Sequence, residues 1–239
     1  MRVAIMQPYF FPYIGYFSLI KHSDRFILFD PVQFIRHGWI ERNRILKQTG
    51  GWQYIQVPII KSDGRDTSIK DIIINNKENW SDRILSQIQH YKKKAPYYWK
   101  TVNLLKEIFS NSFNDIVTLN QVSLQTVCDY LGIKRNLEVF SQMGMAIEEV
   151  KAPDEWALNI CTALGDVSEY VNPIGGESFF DITKYERANI SLKFQHMEIT
   201  PYNQKQEIFE PALSIIDVMM FNPPEEINQM LDRYTFQSL

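Results

Sequence analysis

Arg2-Val3-Ala4-Ile5-Met6-Gln7-Pro8-Tyr9-Phe10-Phe11-Pro12-Tyr13-Ile14-Gly15-Tyr16-Phe17-Ser18, followed by Leu19-Ile20, is the stretch whose reading decides the fold. The apolar run from Val3 to Met6 has the length and β-branched content of a short strand buried on both faces. Gln7-Pro8 and Phe11-Pro12 then bracket a turn, because proline fixes φ, donates no backbone hydrogen bond and pushes the preceding residue away from helical geometry. Ile14, Phe17, Leu19 and Ile20 return at helical spacing, so a helix starts near Pro12 or Tyr13. A strand, a tight loop and a helix whose N-terminus faces the loop form the basic nucleotide-binding unit of α/β proteins, since exposed backbone N–H groups there attract phosphate. Gln7 stands at the strand end. The rings of Tyr9, Phe10, Phe11, Tyr13 and Tyr16 either wall a planar ligand or pack against the sheet.

Working outward, Arg25-Phe26-Ile27-Leu28-Phe29-Asp30 is a second nearly continuous apolar run ending in a carboxylate. Two parallel strands joined by a short helix make a βαβ unit, with the ligand crevice expected at the strand ends that carry Gln7 and Asp30. Asp30 either contacts the ligand or caps the turn that Pro31 starts. The next segment, Pro31 to Ile45, concentrates Gln33, Arg36, His37, Glu41, Arg42, Asn43 and Arg44. In strand geometry Trp39, Glu41, Asn43 and Ile45 share one face, and Ile40, Arg42 and Arg44 the other. Arginines two apart suit a diphosphate or carboxylate, although a solvated strand face would read the same way. His37 before Gly38 is either a plain turn histidine or a general base. Residues 39–60 read as a hairpin around Thr49-Gly50-Gly51, Lys61 to Thr67 as a polar loop, and Ile69 to Ile74 as an edge strand.

The middle of the chain changes to helical patterns: Asn79 to Tyr91, a segment opened by Pro96, and about Thr118 to Leu131, which Gly132 ends. Lys92-Lys93-Lys94 is a solvated helix end or a basic grip for an acidic acyl carrier protein. Asn136 to Phe140 resumes the sheet, and Glu155 to Leu164 is a helix ended by Gly165. Tyr170-Val171-Asn172 is a strand end, Gly175-Gly176 a turn, and a further helix begins near Ser178. Paired glycines let backbone approach a ligand, though many are simple turns. Ile190 to Phe194 is the last buried strand. Leu213 to Asn222 is a helix whose buried Asp217 needs a partner, with Ser214 on the same face and an arginine of the 36–44 segment as candidate. Asp217 is then a structural ion pair or a catalytic group.

The organisation expected is one domain: an α/β unit with a hairpin over 1–75, a helical block over 76–134, and residues 135–239 completing a Rossmann-like, open, mostly parallel sheet flanked by helices. With 239 residues, 45% hydrophobic and 22% charged, the chain can bury a sizeable core unaided. A net charge of -3 excludes a nucleic-acid binder that relies on overall attraction, but leaves room for a sugar nucleotide at a local site. Cys128 and Cys161 have no CxxC spacing and read as buried free thiols of a cytoplasmic protein. No run approaches the roughly 20 apolar residues of a membrane span, and no signal-peptide pattern is present.

The opening Ala4 to Phe17 resembles the first signature of the WbqC-like family, bacterial proteins associated with O-antigen and surface-polysaccharide gene clusters. His37-Gly38-Trp39-Ile40 with Arg42-Asn43-Arg44, Tyr170 to Glu177, and Leu213 to Asn222 are similar to three further signatures spread over the chain. The opening also resembles, more distantly, the HxGH nucleotidyltransferases, and Asp30-Pro31-Val32-Gln33-Phe34 a carboxylate-holding motif of pantothenate synthetases. Tyr13 and Tyr16 stand where that superfamily has its two histidines, which removes the cations that adenylyl transfer needs. The resemblance implies a transferase on a nucleotide-linked amino sugar, passing an acyl or aminoacyl group to the sugar amine. His37 or Asp217 would take the proton and Arg42 and Arg44 would hold the diphosphate. The aromatic loop would stack on base or sugar. Substrate contacts are expected from Gln7, Tyr9, Phe10, Tyr13, Tyr16, Asp30, Gln33, Arg36, Trp39, Arg42, Asn43, Arg44, Asn172, Gly175, Gly176 and Ser214. No metal ligand and no cofactor beyond the substrate's nucleotide is assigned. Two other readings stand: an ATP-dependent nucleotidyltransferase or amide ligase, and a non-catalytic sugar-nucleotide-binding partner. All require the aromatic loop, the arginine ribbon and the paired glycines at one rim of the sheet.

Overall fold

In a computed structural model, which describes residues 1–60 and 66–238, the opening apolar run forms β1 (Arg2–Met6) and the returning helical periodicity forms α1 (Ile14–His22). Then follow β2 (Arg25–Leu28), a two-stranded antiparallel ribbon of β3 (Arg42–Leu46) and β4 (Trp52–Gln56), and three helices, α2 (Trp80–Gln87), α3 (Tyr98–Phe109) and α4 (Ile116–Tyr130). The chain returns to the sheet with β5 (Leu137–Val139), crosses α5 (Glu155–Leu164) to β6 (Glu169–Pro173), and passes α6 (Ile182–Arg187) to β7 (Ser191–Met197). It ends with α7 (Ile215–Phe221), α8 (Pro224–Leu231) and β8 (Tyr234–Ser238).

The six-stranded sheet has the order β5-β2-β1-β6-β7-β8. Its first five strands run parallel and β8 pairs antiparallel with β7. This is the α/β, mostly parallel architecture expected, with the segment after the helical block supplying β5 beside β2 and β6 beside β1. Side chains alternate strictly across the central strands. Val3, Ile5, Ile27, Tyr170, Leu192 and Phe194 face a core closed by Ala157, Ile160 and Cys161 of α5 and Tyr185 of α6. Ala4, Phe26, Leu28 and Val171 face a second, larger core closed by α1, α3, α4, α7 and α8. Both cysteines are buried and free, and burial pushes each thiol up to about 12, so neither is a ready nucleophile. No helix among the described residues is long and apolar enough to cross a membrane.

Three expectations need correction. Ile69 to Ile74 is not a strand: Ile69–Asp71 is a 3₁₀ turn, after which only isolated bridges form, Ile73 with Asp115 and Ile74 with Ile59. The buried residues there, Ile69, Ile72 and Ile74, are spaced three and then two apart, a pattern that fits neither strand nor helix. Gly175 and Gly176 lie inside a 3₁₀ helix, Ile174–Phe179, and the α-helix that follows begins at Ile182 rather than near Ser178. The strand expected at Ile190 to Phe194 extends to Met197, and it is not the last, because β8 covers its outer edge. Of the expected Lys61 to Thr67 loop, residues 61–65 lie outside the described residues.

Candidate functional site

The strand order opens the candidate crevice one strand away from where βαβ reasoning expects it. The chain leaves β1 toward α1 on the larger-core face, and leaves β6 toward α6 on the other. Loops that depart to opposite faces from adjacent parallel strands open a gap at their C-terminal ends. Here that gap lies between β1 and β6, and it holds a cavity of about 590 Å³. Its walls come from Met6 to Tyr16 on one side, Asn172 to Gly176 on the other, and Trp39, Asn43, Arg44 and Ala212 across the top. The aromatic loop, the ribbon and the paired glycines therefore do share a rim.

Backbone hydrogen bonds hold these segments together. Phe10 N donates to Trp39 O at 2.8 Å and Asn43 Nδ2 to Phe10 O at 3.0 Å, tying loop to ribbon. Ser214 N donates to Arg44 O at 2.8 Å, Ile215 N to Pro12 O at 2.9 Å and Ser214 Oγ to Phe11 O at 2.7 Å. These bonds keep Phe11, at φ 39°, and Ala212, at φ 52°, in a left-handed backbone region that residues other than glycine rarely occupy. From α4, wholly outside this region in sequence, Asn120 Nδ2 donates both to Pro8 O at 2.8 Å and to Ile40 O at 2.9 Å. Asn120 was not anticipated; the only signal was an amide on the apolar side of an amphipathic pattern.

Arg44 is the only charged side chain lining the crevice among the described residues. Its guanidinium lies 5.4 Å from the Trp39 ring centre and 5.3 Å from that of Trp52, with Nη2 donating to Ala212 O at 3.3 Å. Among the described residues its Nε is buried without a partner and no carboxylate pairs with it. A cation held between two aromatic faces with donors unspent is set to receive an anion. Tyr9, Tyr13 and Tyr16 supply phenols whose pKa values burial raises, so they stay neutral donors. Tyr16 donates to Gln7 O at 2.8 Å and packs on Tyr9 with ring centres 5.6 Å apart. The Tyr13 ring folds over the first turn of α1, where a Cβ on Gly15 would lie 2.5 Å from its Cε2, Cζ and hydroxyl. Gly176 fits close against Asn172, whose Nδ2 a Cβ would meet at 3.2 Å. Close approach, not a positive φ, is the requirement at both glycines.

The remaining expected residues lie elsewhere. Asp30 is buried at the end of β2, accepting from Ser141 N at 3.0 Å and Ser141 Oγ at 2.5 Å, and so fixes the chain beyond β5. Gln33 pairs with Ser68 in an isolated bridge and donates to Asp66 at 3.4 Å. Phe10 is fully buried edge-on to Phe11, and Gln7 contributes its carbonyl rather than its side chain. Ser214 is fully buried and caps α7, its Oγ accepting from Ile216 N at 3.2 Å. Arg42 stacks on Tyr54, 3.9 Å from the ring centre, and donates to His37 O. Arg36 and His37 line a different cavity.

Asp217 is fully buried and has no arginine partner among the described residues. It accepts from Tyr91 at 2.6 Å, Tyr202 at 2.5 Å and Gln204 Nε2 at 3.0 Å. Burial raises its carboxyl from 3.8 to about 6 against the pull of those three donors. Neither expected base, His37 nor Asp217, borders the crevice, and among the described residues no group of three His, Cys, Asp or Glu side chains is arranged to hold a metal.

The model of the WbqC-like protein family matches residues 7–229. The chain belongs to that family. The match takes in every segment that lines the crevice except Met6. The chain of this WbqC-like protein is also 29% identical over 238 residues, 99% of both chains, to the uncharacterized protein Rv1507c of Mycobacterium tuberculosis. No solved structure matches it.

Proposed function

We propose that this WbqC-like protein binds a nucleotide-linked sugar in the β1–β6 crevice and, in the cytoplasm, acts on it as a transferase in surface-polysaccharide assembly. The observation that carries the reading is Arg44, a guanidinium with no carboxylate partner among the described residues, set between two indoles in a cavity otherwise walled by phenols, amides, apolar side chains and the paired glycines. Arg44 suits a diphosphate, and the Tyr9, Tyr13 and Trp39 rings suit a base or sugar face. The resemblance of the sequence signatures to proteins of O-antigen clusters supports the sugar. Transfer of an acyl or aminoacyl group to a sugar amine fits a site of this kind. With no carboxylate or imidazole among the described residues on its walls, the amine enters uncharged and its proton leaves with the donor's leaving group. The same lack of a base favours, as a second reading, a binding partner that performs no chemistry.

Calorimetry with a panel of nucleoside-diphosphate sugars tests the binding. At least one should bind saturably, and Arg44→Ala should weaken it by about tenfold or more, the effect of losing a charge-assisted hydrogen bond. Equal binding by wild type and Arg44→Ala removes the diphosphate assignment. Incubating the retained amino sugar with acyl donors separates the two readings: amide formation supports transfer, and unaltered ligand supports the binding partner.

A further inference from the structure

A second cavity, about 670 Å³, lies against the same ribbon, between β4 and α2. Trp39 borders the first cavity, whereas Arg36 and His37 border this one. Its floor is Glu41, 1% exposed. One carboxylate oxygen, Oε1, accepts from His37 N at 2.6 Å, and the other, Oε2, is buried with no partner. Burial raises this carboxyl above its ordinary value, opposed by the His37 N–H. The adjacent cation, Arg42, also pulls it down but forms no ion pair with it: its guanidinium stacks on Tyr54 and donates through Nη2 to His37 O, leaving Nε without a partner among the described residues.

The corner that carries His37 is held in an unfavourable shape. His37 sits at φ 62°, Gly38 N donates to Ile35 O at 3.2 Å, and a Cβ on Gly38 would lie 3.0 Å from that same oxygen. A strained turn pinned by a buried carboxylate that keeps one oxygen free is arranged around that oxygen. Across the cavity, Arg83 is paired with Glu78 at 3.1 Å and caps Gln56 O, while Gln87 caps Tyr54 O. That leaves Arg36, exposed at the rim, as a guanidinium with no acidic partner among the described residues.

We propose that this cavity is a second ligand site, one that takes a zwitterionic small molecule with its ammonium group on Glu41 Oε2 and its carboxylate on Arg36. An unpaired buried acceptor and an unpaired cation on one cavity are complementary to a ligand carrying both charges, and α-amino acids are the simplest such class. The site is independent of the crevice and needs no nucleotide.

The test titrates the full chain with individual α-amino acids, followed by calorimetry or protein NMR, with ethylamine and acetate as the two half-ligands. At least one amino acid should bind saturably, about tenfold or more tighter than either half-ligand. Glu41→Gln keeps the acceptor for His37 N and removes the charge; Arg36→Ala removes an exposed side chain on which the fold does not depend. Each should weaken binding by about tenfold or more. No binding by any amino acid, half-ligands that bind as well, or either variant binding like wild type overturns the proposal. Binding of a nucleoside-diphosphate sugar, measured on the same two variants, reports on the crevice separately. If Glu41→Gln loses that too, its ribbon is damaged and Arg36→Ala decides.

Discussion

Asp217 is a buried carboxyl held by two phenols and an amide, with no cation among the described residues in contact with it. Because its folded pKa, about 6, exceeds the ordinary 3.8, the folded state binds the proton more tightly than the unfolded chain. The stabilisation that this proton brings is complete below the unfolded value and is lost as pH rises through about 6. At about 1.4 kcal/mol per pKa unit, the window is worth about 3 kcal/mol. Asp217→Asn cannot ionise, so wild type should gain about 2–3 kcal/mol relative to the variant between pH 7 and pH 4, measured by urea unfolding across that range. A difference that stays constant with pH would show that the carboxyl titrates normally. The sequence disclosed that Asp217 lies in an apolar helix and must have partners. It could not disclose which, because Tyr91 is 126 residues away, and of the arginines nominated instead Arg42 and Arg44 lie against aromatic rings and Arg36 lines a different cavity. Asp30 misled for a related reason: a carboxylate at a strand end looks the same whether it meets a ligand or Ser141, 111 residues on.

At the scale of elements, the crevice is braced by a helix that contributes nothing to its walls. Asn120 on α4 satisfies two carbonyls at once, Pro8 O in the aromatic loop and Ile40 O at the entry to the ribbon. Asn120→Ala would leave both buried and unpaired, which should cost about 2–4 kcal/mol in the denaturant midpoint without changing the slope. It should also weaken the nucleoside-diphosphate sugar found for wild type, since loop and ribbon lose their common anchor. A variant as stable as wild type would mean that the two carbonyls find other donors. The strands β1 and β2 could be read from the sequence as continuous apolar runs, and α1 and the helices of the block from their helical spacing. The 3₁₀ segments at Ile69–Asp71 and Ile174–Phe179 could not, since they carry neither a continuous apolar run nor a helical or strand period. The C-terminal pair α8 and β8 was missed although its signals were present: Pro223-Pro224 followed by Glu225 and Glu226 is a helix start, and Tyr234-Thr235-Phe236 favours strand.

Over the whole molecule, the sheet separates two cores, and the crevice lies at the seam where one strand loop turns toward each. A ligand that touches both lips should therefore protect both at once. Hydrogen exchange with saturating nucleoside-diphosphate sugar should slow together at the first turn of α1 and at Ile174–Phe179, and stay unchanged in α2, which lies away from that cavity. Slowing confined to one lip would place the ligand on a single loop. The α/β, mostly parallel class was foreseen, but the strand order and with it the crevice's position were not. Whether β1's other neighbour is β6 depends on long-range pairing that no local stretch encodes.

Walls drawn from Met6 through Ala212 also bear on how the protein is made. No contiguous fragment owns the cavity: a nascent chain that has released only the aromatic loop and the ribbon lacks the opposing lip until residue 176 and its bracing segment emerge. A molecule that needs both lips therefore cannot act as a template for the early half of the chain during synthesis, and prematurely terminated products should fail to bind it.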